Sequence, residues 1–124
     1  MMTNSIVLAV LLAEAGGEGL QGMTAVGEVI RHRARVQHTT VEKIVLAPHQ
    51  FTCLDGISPS RLLEKELNNK AQNEIDVVQY AWNKSERTNL TKGALFYARK
   101  EMHPKWAKKM HKTVTIKNHT FYKP

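Results

Sequence analysis

The stretch Asn4–Leu20, NSIVLAVLLAEAGGEGL, decides how the rest of the chain is read. Its apolar run ends at Glu14, Gly16 and Gly17 follow, and Glu18 stands just beyond them. An apolar segment closing on "AEA" has the form of a secretory signal, but no positive residue precedes it, and a secretory n-region needs one. Thr3 or Asn4 offers a helix cap instead. The segment is therefore expected to be a helix from about Asn4 to Glu14. It is apolar on every side and hence buried in a protein core. No unbroken apolar stretch has the roughly 18 to 20 residues of a membrane span.

The chain has 124 residues, a formal net charge of +7 and one cysteine, Cys53. That length suggests a single domain, residues 1–124, around one modest core. One cysteine excludes an internal disulfide framework. The charge is unevenly placed. Residues 1–30 carry no Lys or Arg and three acids, Glu14, Glu18 and Glu28, whereas residues 84–124 carry eleven Lys or Arg against two acids. A basic end of this kind points to an anionic partner, whether nucleic acid, a membrane surface or an anionic wall polymer.

Beyond the glycines the spacing predicts a second helix from about Leu20 to Val36, with Met23, Val26, Ile30 and Ala34 on one apolar face. Glu28 falls among polar positions, where Arg31 or His32 is the expected ion-pair partner. A short third helix, VEKIVLA, begins after Thr39 or Thr40 and stops at Pro48. The segment PHQFTCLDGISPS reads as a long loop. SPSRLLEKEL and AQNEIDVVQYAWNK are helical, the first capped by Ser58 or Ser60 and the second apolar along Ala71, Ile75, Val78 and Trp82. GALFYA is expected to be a buried strand. TVTIKNHTFY reads as two short strands joined near Asn118, and a basic loop or short helix around Pro104 and Trp106 lies between. Helices followed by strands give an α+β fold.

Four chemistries fit parts of this pattern. His103, His111 and His119 recur every eight residues, but no zinc-ligand spacing accompanies them, so no metal is expected. Cys53 and His49 are too few to make a nucleophilic pair without an orienting group. Arg31 and Arg35 share a helix face and the C-terminal third is rich in lysine, yet no nucleic-acid-binding signature appears, so nucleic acid is not the expected partner. Glycosidic cleavage needs a general acid with a raised affinity for its proton. Glu14, set among Leu11, Leu12, Ala13 and Ala15, has the apolar neighbours for it. The glycines after it would let a polymer approach the backbone.

The run AEAGGEGLQGMTAVGEVIRHRA resembles the opening motif of the spore-cortex-lytic cell wall hydrolases, the SleB/CwlJ-like family. VEKIVLAPHQFTCLDG, TKGALFYA, HPKWAKK and IKNHTFY resemble later motifs of that family, in the same order. The resemblance implies a lysozyme-like α+β domain, helical over its N-terminal two-thirds with a small antiparallel sheet near the C-terminus. It implies cleavage of peptidoglycan between N-acetylmuramic acid and N-acetylglucosamine without a cofactor. Glu14 is then the one catalytic acid and base, closing a 1,6-anhydro ring as lytic transglycosylases do. A hydrolysing muramidase with Glu18 or Asp55 as a second carboxylate is the enzymatic alternative, and a basic wall- or nucleic-acid-binding module the non-enzymatic one. Glu18 shapes the site in this reading, and Gln50, Phe51, Tyr97, Trp106 and His119 are the candidates for lining a sugar groove. Gly16, His32 and Lys117 stand where the family usually has Arg, Asn and Gly. A monomer is expected, made in the cytoplasm and acting on the wall by a phage-lysis or effector route, with its basic end drawn to anionic wall or membrane.

Overall fold

The computed structural model describes residues 5–48 and 50–124. The proposed caps Thr3 and Asn4, and His49, lie outside the described residues. Helix α1 (Ser5–Ala15) runs through one 3-10 turn (Gly16–Glu18) into α2 (Gly19–Gln37). Helices α3 (Val41–Leu46), α4 (Pro59–Leu63) and α5 (Gln72–Lys84) follow, α4 ending in a π-helical turn (Glu64–Asn68). Strands β1 (Phe96–Arg99), β2 (His111–Ile116) and β3 (His119–Lys123) complete an α+β fold.

Helix α1 is the hub: it packs against α2, α3, α4 and α5, as a helix apolar all round must. Val7, Ala9, Val10 and Leu11 have no exposed surface. With α2 it makes one helical run, Ser5–Gln37, long and apolar enough by length and composition to cross a membrane. More than half of its apolar window is buried in the protein, which is the setting of a core helix. The break between α1 and α2 depends on Gly19, whose φ of 73° is costly for any residue with a Cβ.

Thr40 and Ser58 are the caps in use, accepting from the backbone N–H of Lys43 and Arg61 at the starts of α3 and α4. The expected apolar face of α2 is buried at Met23, Val26, Ile30 and Ala34. On α5 the buried positions are Val78, Ala81 and Trp82, while Ala71 is exposed as the cap residue. Helices α2 and α5 approach closely: a Cβ on Gly27 would stand 3.0 Å from Ser85.

Glu28 departs from its expected pairing. It is fully buried and bonds neither Arg31 nor His32. Its carboxylate accepts from Thr88 Oγ1 (2.5 Å), the Leu90 N–H (2.8 Å), the Thr91 N–H (2.9 Å) and Thr91 Oγ1 (2.8 Å). Arg31 instead lies over the Trp82 ring at 3.7 Å and donates to Ser85 Oγ and the Trp82 carbonyl. His32 donates through Nδ1 to the Ala94 carbonyl (3.0 Å), and Arg33 through Nε to the Leu95 carbonyl (2.6 Å). One edge of α2 thus fixes the backbone of residues 88–95, directly ahead of β1.

The sheet order is β1-β3-β2, all antiparallel. Register sets Tyr97 opposite Phe121 and Arg99 opposite His119, while Phe96 faces Tyr122 and Ala98 faces Thr120. Directly opposed residues share a sheet face. Tyr97, Phe121 and His119 therefore lie on one face, and Phe96, Tyr122, Thr120 and Lys112 on the other. Lys117, the first residue of the β2–β3 turn, has φ of 54°, a conformation that glycine adopts at lower cost.

Glu28→Ala leaves two buried N–H donors and two hydroxyls without their acceptor and is expected to cost about 3–5 kcal/mol of stability. Urea unfolding followed by circular dichroism checks this; a loss below about 1 kcal/mol would show that residues 88–95 are anchored by other contacts.

Candidate active site

Glu14 lies on the last turn of α1 and is half-buried. The Tyr97 hydroxyl donates to Glu14 Oε1 at 2.6 Å across 83 residues of sequence. Tyr97 comes from the sheet face turned toward the helices. Its ring meets the edge of His119 at 5.0 Å and packs beside Phe121 at 5.8 Å. Burial of the phenol, then the charge and hydrogen bond of Glu14, push its ionisation well above the usual tyrosine range, against a weaker opposing pull from Arg33. Tyr97 therefore keeps its proton and acts on Glu14 only as a donor.

Cys53 belongs to the same cluster. It sits half-buried on a 3-10 turn (Thr52–Leu54) that packs against α1. Burial first, then the charge and hydrogen bond of Glu14 and a smaller contribution from Glu66, push its thiol up to about 12. At neutral pH it is a protonated thiol, the opposite of an activated nucleophile.

Arg33 was not among the residues singled out by the sequence. It lies behind the cluster, with Nε on the Leu95 carbonyl, a terminal nitrogen 3.5 Å from Gln50 Oε1, and its guanidinium 5.3 Å above the Phe96 ring and 5.6 Å above Phe51. Burial lowers its affinity for a proton, while the neighbouring Tyr97 and Glu14 side chains raise it. An arginine stays charged in either case, so this side chain sets a positive charge near the Glu14 carboxyl. Its place in the HRA triplet, which stands for the N-R-V of the resembling motif, was the available signal.

Glu18 has a separate task. It is buried, and its two oxygens accept from the backbone N–H (2.8 Å) and side-chain amide (2.9 Å) of Asn118 in the β2–β3 turn. Burial works against its charge. The two Asn118 bonds, with His119 and Arg99, outweigh it and hold the carboxyl below the ordinary glutamate range. Gly22 makes the room: a Cβ there would fall 2.2 Å from Glu18 Cβ. His119 Nδ1 lies 3.7 Å from Glu18 Oε1 and, buried, has no hydrogen-bond partner among the described residues. Burial lowers the His119 pKa more than Glu18 and Glu14 raise it, so the imidazole is neutral at pH 7.

The expected groove residues separate into three groups. Tyr97 and His119 join Glu14, one by a hydrogen bond and the other through the Tyr97 ring. Gln50 is exposed and borders two clefts of about 180 and 120 Å³ that also share Arg33 and Gln37. Phe51 and Trp106 do not line a groove beside Glu14. Phe51 is 2% exposed and part of the core. Trp106 packs on the far sheet face, against Phe96 (5.7 Å) and Tyr122 (5.3 Å). Glu18 has each oxygen bonded to Asn118, which ties it to the β2–β3 turn. At Gly16 a Cβ would meet only Leu12, at 3.7 Å, so the chain could carry a side chain there. Among the described residues no three His, Cys, Asp or Glu side chains are grouped as metal ligands.

A family model described as Cell Wall Hydrolase matches residues 17–122, starting three residues past Glu14, so the role of Glu14 rests on the geometry above and on motif order. Two solved structures share the fold. The catalytic domain of the germination-specific lytic transglycosylase SleB from Bacillus anthracis superposes with a TM-score of 0.72 at 23% identity, over 99% of this chain and 97% of that one. The catalytic domain of the Bacillus cereus SleB protein gives 0.68 at 22% identity, over 96% and 88%. No curated protein sequence matches.

Native protein should resist thiol alkylation. At pH 8 iodoacetamide is expected to modify Cys53 about 10³-fold more slowly than in the urea-unfolded chain, because the thiolate fraction falls with the raised pKa. Mass spectrometry of the two time courses checks this, and equal rates would mean that Cys53 does not lie against Glu14.

Proposed function

We propose that this chain, which belongs to the cell wall hydrolase family and is a peptidoglycan-degrading enzyme, cuts the glycan strand between N-acetylmuramic acid and N-acetylglucosamine as a lytic transglycosylase. The observation that supports this reading is the setting of Glu14. Tyr97 fixes Glu14 at Oε1, while Glu18, the nearest acid in sequence, is fully engaged by Asn118. One positioned carboxyl suits a reaction that needs one.

In this mechanism Glu14 carries its proton on Oε2, the oxygen that Tyr97 does not hold. That proton passes to the glycosidic oxygen as the C1–O bond of the muramic acid breaks, and the N-acetylglucosamine hydroxyl leaves. Positive charge develops at C1. The Glu14 carboxylate, steadied by Tyr97 and by the nearby Arg33 charge, is then the base that takes the proton of the C6 hydroxyl. O6 bonds to C1, the 1,6-anhydro ring closes, Glu14 is protonated again, and no water is consumed. The hydrolytic alternative needs a second carboxylate to place a water or to attack C1. Glu18 is unavailable for that, which leaves Asp55, exposed on the segment after Cys53.

Digestion of purified peptidoglycan, read by mass spectrometry, tests the reading. Wild-type protein is expected to release anhydro-muropeptides and Glu14→Gln to release none above background. Reducing-end products would instead assign a muramidase, and full activity in Glu14→Gln would remove Glu14 from the chemistry. Tyr97→Phe deletes one hydrogen bond to a charged group and keeps the ring, so kcat/KM is expected to fall about 10- to 100-fold with the fold intact. A rate within twofold of wild type would show that the phenol does not position Glu14.

A further inference from the structure

The far face of the sheet holds a cavity that the reaction does not use. It measures about 230 Å³ and lies between β2, β3 and the segment after β1. Its lining combines Lys100, Lys108, Lys112 and His103 with the apolar surfaces of Met102, Pro104 and Ala107, and with Thr120 and Tyr122 of β3. No acid is among the lining residues, and the neighbouring Glu101 is held by Arg99. Sheet register sets Lys112 opposite Tyr122, and both lie on the face away from Tyr97. The cavity therefore opens on the side of the sheet opposite Glu14.

Three lysines around one small concavity, with no acid among its lining, give it a positive potential that an anion would offset. We propose that this cavity is a binding site for the phosphate group of a phosphodiester polymer with small polyol units, so that the enzyme is held on phosphate-bearing cell walls by a surface separate from its acid. The volume suits one phosphate with a short polyol. The lining favours such a chain over nucleic acid, because its one large aromatic ring is not free to stack on a base. That ring, Tyr122, is 4% exposed and packs edge-to-face with Trp106, and the only other aromatic ring of the lining is the small imidazole of His103. A concave site also suits a single phosphate on a flexible strand better than a flat bilayer. The choice of a wall polymer rests on the peptidoglycan-degrading reading, but phosphate binding does not.

Two measurements test the proposal, with wild-type protein and the triple variant Lys100→Gln, Lys108→Gln, Lys112→Gln, whose changes all fall on exposed residues. Titration with inorganic phosphate, followed by NMR, is expected to shift the Met102, Ala107, Thr120 and Tyr122 signals in the wild type and not in the triple variant. Sedimentation with walls carrying poly(glycerol phosphate), against the same walls stripped of it by acid, is expected to show at least tenfold tighter retention on the intact walls. The triple variant should lose that preference and still cleave stripped walls at the wild-type rate. The absence of shifts at these four residues would overturn the site. Shifts with phosphate but equal retention on both walls, or retention only on DNA or phosphatidylglycerol vesicles, would overturn the assigned ligand. Because binding is read without cleavage, an inactive protein that still prefers phosphate-bearing walls would refute the catalytic reading and leave this one standing.

Discussion

A carboxylate with no solvent exposure, Glu28, ties the two halves of the molecule together. Its four hydrogen bonds end on residues 88–91, and His32 and Arg33 continue the same seam to residues 94 and 95. The Leu95 N–H then bonds the Tyr122 carbonyl, so the sheet begins where the seam ends. Two residues later comes Tyr97, which reaches Glu14 at the other end of the helical pair. A buried charge is costly unless every lone pair is used. That cost is what makes the seam specific: a slipped register along residues 88–95 would leave a carboxylate stranded in the core.

The three acids of the first thirty residues show how surroundings divide one side-chain chemistry into three tasks. Glu28, saturated by donors, is structural. Glu18, with two donors from a distant turn, fixes the β2–β3 hairpin against the start of α2. Glu14 is held by the Tyr97 hydroxyl and the Cys53 thiol, without backbone donors, and stays partly exposed. The number and kind of donors, and not burial by itself, separate them: Glu18 and Glu28 are both more buried than Glu14.

The features legible from the sequence were those set by local rules. The all-apolar α1, the buried stripe of α2, the Thr40 and Ser58 caps and the hairpin around Asn118 follow from spacing and turn chemistry. Motif order pointed to the family and to Glu14. Glu28 was misread because helix-neighbour pairing is a local rule, and backbone donors some sixty residues away outcompeted it. Trp106 was misplaced for a related reason. Alternation tells which residues share a strand face, but only the register with β3 and the β1-β3-β2 order tell which face meets the helices. Arg33 was hidden among four basic residues in the run RHRAR, where only its place in the HRA triplet sets it apart.

The path of the chain also imposes an order of events. Glu14 is made early, whereas the partner of its neighbour Tyr97 across the sheet, Phe121, and the Asn118 anchor of Glu18 belong to the last seven residues. During synthesis, therefore, Glu14 emerges well before the strand that completes its surroundings. A chain cut short before the β2–β3 turn would carry Glu14 without the Asn118 anchor of Glu18 or the Phe121 neighbour of Tyr97.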